Sequence, residues 1–247
     1  MKLSEVQKDA NVKLLIVGPS GAGKTIGACT FPGKIKIFDF DGKVTSAAQF
    51  YAGNAEKLDS IEFTPYSKMP IKGDMSLKRK PRMQSFLDDL QEIYNFQNKK
   101  QKLPFDTLIV DSITTLADSI MEDYREVSQT GIKRPNKDQN SMSDYGLLAT
   151  HFKQIVCGIL SLECNVVFIA HSSLVKDETS GIITNEIMFP GQMAGKLGIY
   201  FEEVYFAKVN AKSEHVWQVK GDAKTSFCRT QRKLAAEIPA NYQELMK

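Results

Sequence analysis

The chain has 247 residues, of which 42% are hydrophobic and 25% are charged, and its formal net charge at pH 7 is +3. This length is enough for one substantial α/β domain whose core needs no disulfide or metal to stabilise it. No run of apolar residues is long enough to span a bilayer, which excludes a membrane-spanning helix and predicts a cytoplasmic protein without a membrane partner. The cysteines have no metal-ligand spacing, and we expect buried thiols in a reducing compartment.

The first predicted strand, Lys13 to Val17, leads directly into a glycine-rich sequence of the form G-x-x-x-x-G-K-[ST]. Between a strand and a helix, such a loop points successive backbone N–H groups inward, where they surround phosphate oxygens. Lys24 is predicted to reach the outer phosphates, and the Thr25 hydroxyl is predicted to bind Mg²⁺. The alternative, a glycine turn without a ligand, does not explain the correct strand and helix flanks. The predicted nucleotide-binding residues are Gly18, Pro19, Ser20, Gly21, Ala22, Gly23, Lys24, Thr25 and Ile26.

A second strand is predicted from Ile35, and it ends in the sequence Asp39-Phe40-Asp41. This placement brings a carboxylate beside the outer phosphate end of the loop, where it can orient and deprotonate an attacking water. Asp41 is the preferred residue for this role, because strand alternation points Asp39 back towards the sheet. In the alternative interpretation, both carboxylates cap the turn that follows the strand.

A third short apolar strand, from Asp106 to Asp111, ends in a carboxylate, as a Walker B element does. Downstream of a phosphate loop, Asp111 is predicted to hold Mg²⁺ directly or through water, although an aspartate after a strand can also cap a helix. Strand four is predicted from Asn165 to Ala170 and ends at His171, a position from which a polar side chain can sense the outer phosphate. His151 and His215 have no such placement.

Helices are predicted between the strands from their apolar periodicity. Three closing strands are predicted at 204–207, 215–219 and 225–228, with antiparallel pairing as one option. Polar loops are expected at 128–143 and 176–189. Basic residues concentrate at 65–82 and at 208–233. Either cluster alone is equally consistent with a solvated surface, but two clusters beside a phosphate loop favour a polyanionic partner.

The order of these motifs resembles the core of RecA-like recombinases. The matching sequences after the phosphate loop are Asp-Phe-Asp, Val110 to Leu116, Val167 to His171 and Phe189 to Leu197. More narrowly, the chain resembles short phage-encoded nucleotide-binding proteins associated with single-strand annealing and recombination. The resemblance implies an α/β RecA-like P-loop NTPase fold, with a mainly parallel sheet flanked by helices and antiparallel C-terminal strands. It divides the chain into an N-terminal extension (1–12), an ATPase core (13–233) and a C-terminal tail (234–247).

The same resemblance implies ATP and Mg²⁺ bound between subunits of a homo-oligomer, a filament or a ring, with two loops facing single-stranded DNA. Lys24, Asp41 and His171 then occupy catalytic and sensor positions, and Thr25 and Asp111 occupy the metal position. Asp41 is shorter than the glutamate typical of full-length recombinases. Lys208 and Lys212 are candidate cations for a neighbouring subunit's site, and Arg229 is a weaker one; exposed edge-strand charges are the alternative. The candidate DNA-binding residues are Lys133, Arg134, Lys137 and Lys176.

Two other functions are compatible with a phosphate loop in a chain of this size. A nucleotide or metabolite kinase would use the basic segment from Lys78 to Arg82 as a lid, although Asp39-Phe40-Asp41 and the polar end of strand four fit hydrolysis better. A slowly hydrolysing, nucleotide-gated adaptor would load a partner such as a single-strand-binding protein. The preference for ATP over GTP follows from the resemblance, because the chain has no guanine-reading Asn-Lys-x-Asp motif.

Overall fold

The computed structural model describes residues 11–69, 81–126, 141–179 and 181–247. Strands and helices alternate through most of these residues, and two 3₁₀ segments lie at Tyr66–Lys68 and Gly191–Tyr200. The strands are β1 (Lys13–Gly18), β2 (Ile35–Asp39), β3 (Ile61–Thr64), β4 (Thr107–Asp111), β5 (Asn165–Lys176), β6 (Ile183–Ile187), β7 (Glu203–Val209), β8 (His215–Gln218) and β9 (Glu237–Pro239). The helices are α1 (Lys24–Ala28), α2 (Thr45–Phe50), α3 (Ala55–Asp59), α4 (Arg82–Asn98), α5 (Ile113–Glu126), α6 (Met142–Leu160) and α7 (Tyr242–Leu245).

The strands of the described residues form one sheet in the order β3-β2-β4-β5-β1-β7-β8-β9, and β6 pairs with the outer half of β5. The pairs from β3 to β7 are parallel, whereas β8 and β9 are antiparallel to their neighbours. This arrangement confirms the predicted α/β fold with a mainly parallel sheet and antiparallel C-terminal strands. Because β5 lies between β1 and β4, the residue after its buried half lies between the phosphate loop and Asp111.

Apolar side chains cover both faces of the sheet, which is why β1 is a continuous hydrophobic run rather than an alternating one. Leu15 and Val17 face a core formed with α4, α5 and α6, whereas Leu14 and Ile16 face a core formed with α1, α2 and Trp217. All four β1 side chains are fully buried. The parallel strands are therefore held rigidly, and so are the loops at their C-terminal ends.

Two local predictions are wrong. The predicted polar loop 176–189 is instead the turn and second strand of a hairpin, in which β6 pairs with residues Ser172 to Lys176 of β5. Most apolar residues of this hairpin are exposed, and Ile187 at its base is buried, so its sequence lacks the alternation that marks a half-buried strand. The predicted strand 225–228 is a turn, because the Asp222 side chain accepts hydrogen bonds from the backbone N–H groups of Lys224 and Thr225.

The remaining differences concern segment boundaries. Helix α6 begins at Met142, inside the predicted loop 128–143, and the Asp144 carboxylate accepts a hydrogen bond from the Ser141 N–H at 2.7 Å. Residues 127–140 of that loop lie outside the described residues. At the C-terminus, β9 pairs with β8, Leu245 is fully buried, and Tyr242 packs on Phe31 with ring centroids 4.8 Å apart. The segment assigned to a tail thus packs on the sheet.

Two glycine substitutions are expected to change stability in opposite directions. A Cβ at Gly18 would lie 2.4 Å from the backbone oxygen of Ala207, so Gly18→Ala is expected to destabilise the fold by about 1–3 kcal/mol. A Cβ at Gly146, on the exposed face of α6, would meet no atom within 4 Å. Gly146→Ala is expected to stabilise by about 0.5–1 kcal/mol, because alanine loses less backbone entropy on folding. Urea unfolding of both variants measures the difference, and equal stabilities would contradict the packing of β1 on β7.

Candidate functional site

Four loops converge at the C-terminal ends of the parallel strands. In the strand register, Gly18 lies opposite His171, and Asp39 lies opposite Asp111. The phosphate loop and the residues after β2, β4 and β5 therefore share one edge of the sheet. They surround a cavity of about 200 Å³. Its lining residues are Ser20, Gly21, Ala22, Gly23, Lys24, Thr25, Ile26, Asp41, Lys43, Ser46, Asp111, His171 and His215.

The Lys24 side chain is hydrogen-bonded to the backbone of its own phosphate loop. Gly21 and Gly23 both have a φ of 79°, a backbone conformation that glycine adopts without a steric cost. The Lys24 ammonium donates hydrogen bonds to the carbonyl oxygens of Gly18 (2.8 Å) and Pro19 (2.7 Å). Burial lowers the pKa of Lys24, and the nearby carboxylates of Asp111 and Asp41 oppose that effect. The Lys24 ammonium is thus bonded across its own loop. An incoming phosphate would replace these carbonyl oxygens as its partner.

The two predicted metal ligands are in direct contact. The Thr25 hydroxyl donates a hydrogen bond to the Asp111 carboxylate at 2.6 Å. Asp111 is 2% exposed, and burial raises its pKa from 3.8 to about 6, with smaller contributions from the neighbouring carboxylates Asp41 and Asp39; Thr25 and Lys24 act in the opposite direction.

These donors fit Mg²⁺, which takes oxygen ligands and is often held by one or two carboxylates together with phosphate and water oxygens. Among the described residues there is no cluster of three or more His, Cys, Asp or Glu side chains that would make an all-protein cage. Thr25 and Asp111 are the residues that would hold the metal, with a nucleotide's phosphates as further ligands.

The two aspartates after β2 have different surroundings. The Asp39 side chain accepts hydrogen bonds from the backbone N–H groups of Gly42 (2.7 Å) and Lys43 (3.3 Å), so it caps the turn. The Asp41 side chain does not: one of its oxygens accepts from Ser112 (2.8 Å) and Thr115, and the other accepts from His171 Nε2 (2.6 Å). The alternative in which both carboxylates cap the turn therefore applies to Asp39 only.

The hydrogen bonds to Asp41 also set its charge. Burial acts to raise the pKa of Asp41, but the bonds from His171, Thr115 and Ser112 outweigh burial and hold the pKa well below its usual range. Asp41 is consequently ionised over the whole physiological pH range, with His171 fixed beside it.

His171 connects this network to the β5–β6 hairpin. Its backbone N–H donates to the Thr114 hydroxyl at 3.0 Å, and that hydroxyl donates to the Met188 carbonyl oxygen, also at 3.0 Å. The Met188 N–H in turn donates to the His171 carbonyl oxygen at 2.8 Å. His171 is thus hydrogen-bonded to the base of the hairpin both directly and through Thr114.

The three candidate cations for a neighbouring site lie outside the cavity and differ in their contacts. Lys208 forms an ion pair with Glu237 at 2.7 Å and donates to Gln218 at 3.1 Å. The Arg229 guanidinium donates to carbonyl oxygens near the end of the Gly191–Tyr200 segment and directly after it, those of Gly198, Ile199 and Phe201. Lys212 is exposed in the turn between β7 and β8.

Of the candidate DNA-binding residues, the structure describes only Lys176. It is the last residue of β5 and is exposed, in a hairpin that also carries the acidic residues Asp177, Glu178 and Glu186. Lys133, Arg134 and Lys137 lie outside the described residues.

Several residues of the cavity and of the hydrogen-bond network around it were not predicted from the sequence. Ser112 and Thr115 directly follow the Walker B strand, so their position beside Asp111 was an available signal. For His215 the sequence contains no such signal, because it reaches the cavity only through the antiparallel pairing of β8 with β7. A Cβ on Gly23 would lie 2.8 Å from the His215 ring, which shows how closely the imidazole packs on the loop. Lys43, in the turn that Asp39 caps, and Ser46, in the first turn of α2, also line the cavity.

The fold and the site define an α/β domain with a phosphate-binding loop, a Walker B carboxylate and a polar residue after the intervening strand. A family model described as an AAA domain matches residues 10–233. The chain belongs to this family, and its prediction as a RecA-like P-loop ATPase core that binds nucleotide is confirmed.

Two further comparisons describe its relation to known proteins. The solved structure of the RadB recombinase is 13% identical in sequence, with a TM-score of 0.43, over 86% of this chain and 82% of that one. No curated protein matches the chain at a significant level. Within the described residues, no helix has the length and apolar character needed to cross a membrane.

Proposed function

We propose that this protein binds Mg-ATP, hydrolyses it, and acts as a homo-oligomer on single-stranded DNA in phage-type recombination or annealing. The observation that carries the proposal is a chain of hydrogen bonds from Thr25 of the phosphate loop to the hairpin at Met188. It runs through Asp111, Asp41 and His171. Such a path allows the state of the nucleotide to change a surface outside the cavity. The alternatives remain a small-molecule kinase and a nucleotide-gated adaptor for a partner such as a single-strand-binding protein.

Each residue of the site has a distinct part in the proposed reaction. Backbone N–H groups of the loop and Lys24 hold the phosphates, and Thr25 and Asp111 hold the metal. Mg²⁺ bound there supplies charge neutralisation at the phosphate oxygens. Asp41 accepts a hydrogen bond from the attacking water and orients it. Because hydrogen bonds keep its pKa low, Asp41 is a weak base, and orientation is its main contribution.

Asp41→Ala separates nucleotide binding from hydrolysis. Without the carboxylate, the water and His171 lose their orientation, and we expect hydrolysis to fall by about 100-fold while nucleotide affinity stays within about threefold of the wild type. Steady-state kinetics and equilibrium nucleotide binding measure the two quantities. Asp59→Ala, an exposed carboxylate at the end of α3, is the matched control. An Asp41→Ala protein that still hydrolyses ATP at the wild-type rate would contradict this role.

The same variant distinguishes an enzyme from an adaptor. If the protein acts by turnover, Asp41→Ala will lose function in a recombination or annealing assay. If it acts as an adaptor, the variant will retain partner binding and function. Transfer of the terminal phosphate to a small molecule, rather than to water, would instead support the kinase alternative.

Single-stranded DNA binding is tested by its dependence on salt. If five or six phosphates are contacted by basic side chains, the logarithm of the affinity should fall with the logarithm of the salt concentration with a slope of about −4. Combined replacement of Lys133, Arg134 and Lys137 by alanine is expected to make that slope shallower by about 2, and Lys176→Ala by less than about 1. Fluorescence anisotropy with a labelled oligonucleotide, with and without Mg-ATP, measures both effects. Binding that ignores salt and nucleotide would contradict the proposal.

A further inference from the structure

We propose that Lys43 is a catalytic residue that contacts the terminal phosphoryl group of ATP bound in its own chain. This inference rests on the proposed ATP hydrolysis. It concerns the source of the positive charge that balances the phosphates, which the resemblance assigns to a neighbouring subunit.

The backbone of Lys43 is fixed at the wall of the cavity. Its N–H donates to the Asp39 carboxylate at 3.3 Å, beside the shorter bond from Gly42, and its carbonyl oxygen accepts from the Ser46 hydroxyl at 2.9 Å. Lys43 lines the cavity together with Lys24 and Asp41. The turn therefore presents a second lysine to the space in front of the phosphate loop, from the side on which Asp41 lies.

The Lys43 ammonium has no counter-ion among the described residues. It is exposed, and it forms neither an ion pair nor a side-chain hydrogen bond with any part of the chain that the structure describes. A lysine held beside a phosphate loop without a partner carboxylate is suited to bind an anion that enters the loop.

Two of the three cations proposed to act from a neighbouring subunit are less available. Lys208 is already paired with Glu237, and Arg229 is engaged by three carbonyl oxygens. Using either one would require breaking these contacts. Lys43 needs no such rearrangement. The exposed Lys212 needs none either, but Lys43 lines the cavity of its own chain and Lys212 does not.

Lys43 acts on a defined step. The water oxygen forms a bond to the terminal phosphorus, and the bond from that phosphorus to the bridging oxygen breaks, with its electron pair staying on the diphosphate. The protons of the water pass to the released inorganic phosphate and to solvent. Negative charge grows on the bridging oxygen and is redistributed over the terminal phosphoryl oxygens, and the Lys43 ammonium stabilises it there.

The first test is the kinetics of Lys43→Ala. We expect kcat for ATP hydrolysis to fall by about 100-fold with KM within about threefold of the wild type, and Lys43→Arg to recover part of the loss. The matched control is Lys99→Ala, an exposed lysine at the end of α4. Unchanged thermal unfolding and ADP binding in Lys43→Ala would show that the site is intact. Wild-type turnover by Lys43→Ala would overturn the inference while leaving the proposed ATPase activity standing.

The second test separates action within one chain from action between chains. A Lys24→Ala subunit still carries Lys43, and a Lys43→Ala subunit still carries a complete phosphate loop. If Lys43 acts in its own chain, an equimolar mixture of the two variants will have no more activity than the sum of its parts. Recovered activity in the mixture would overturn the inference by showing that Lys43 serves a neighbour. A wild type without ATP hydrolysis would refute the proposed function itself, together with this role of Lys43.

Discussion

Asp111→Asn will stabilise the nucleotide-free protein at pH 7 and will abolish metal-dependent ATP hydrolysis. Burial raises the pKa of Asp111 from 3.8 to about 6, so the folded protein binds a proton more tightly than the unfolded chain does. Between these two values, stability therefore falls as the pH rises, and above pH 6 the loss reaches about 3 kcal/mol. Asparagine does not ionise and escapes this loss, but it is a poor ligand for Mg²⁺.

The measurement is thermal unfolding in the presence of a chelator from pH 4 to pH 8. The unfolding temperature of the variant, relative to that of the wild type, should rise between pH 4 and pH 6. Above pH 6 it should stay several degrees higher than that of the wild type. Asp59→Asn, an exposed carboxylate, should show no such divergence. An Asp111→Asn protein that is less stable than the wild type at pH 7 without metal would contradict the account of this buried charge.

Lys24→Ala will abolish nucleotide binding and hydrolysis without unfolding the protein. Among the described residues, the ammonium donates hydrogen bonds only to carbonyl oxygens of its own loop, so its removal leaves none of the described distant elements without support. Its loss removes the charge that the loop offers to the outer phosphates, and we expect hydrolysis to fall by at least about 100-fold. Calorimetric titration with Mg-ATP and thermal unfolding measure the two effects.

Lys57→Ala is the matched control for this variant. Lys57 is half-buried, whereas Lys24 is buried. Like Lys24, Lys57 donates to a carbonyl oxygen, that of Phe31 at 3.0 Å, and has a pKa lowered by burial, but it lies outside the cavity. We expect Lys57→Ala to bind nucleotide normally. Equal loss of binding in both variants would mean that burial of a lysine, rather than the phosphate loop, explains the result.

The parts of the fold that follow short-range patterns were predictable from the sequence. The run Leu14 to Val17 is apolar because both faces of the sheet are covered, and the glycines that follow it allow a loop conformation that few other residues adopt. Asp111 and His171 were predicted at the nucleotide site because Asp111 ends one buried strand and His171 follows another. In each case, a few consecutive residues contain the whole signal.

Features that depend on long-range pairing were not predictable. His215 reaches Gly23 only because β8 turns back along β7, and nothing in the residues around His215 indicates that pairing. Whether a lysine has a partner carboxylate also depends on residues far away in the sequence. Lys208 and Lys43 look alike in sequence, but only the structure shows that Lys208 pairs with Glu237. The hairpin was missed for a related reason, since its exposed apolar residues pack against no core of the chain.

The central proposal is that the protein hydrolyses ATP at the phosphate loop and that the nucleotide state there changes a surface that binds single-stranded DNA. The most direct measurement is the rate of ATP hydrolysis by the purified wild type with and without single-stranded DNA, with Lys24→Ala as the control. The account predicts hydrolysis that DNA stimulates, that weakens with added salt and that disappears in Lys24→Ala. A wild type that binds ATP but hydrolyses it at the same rate with and without DNA would contradict the account.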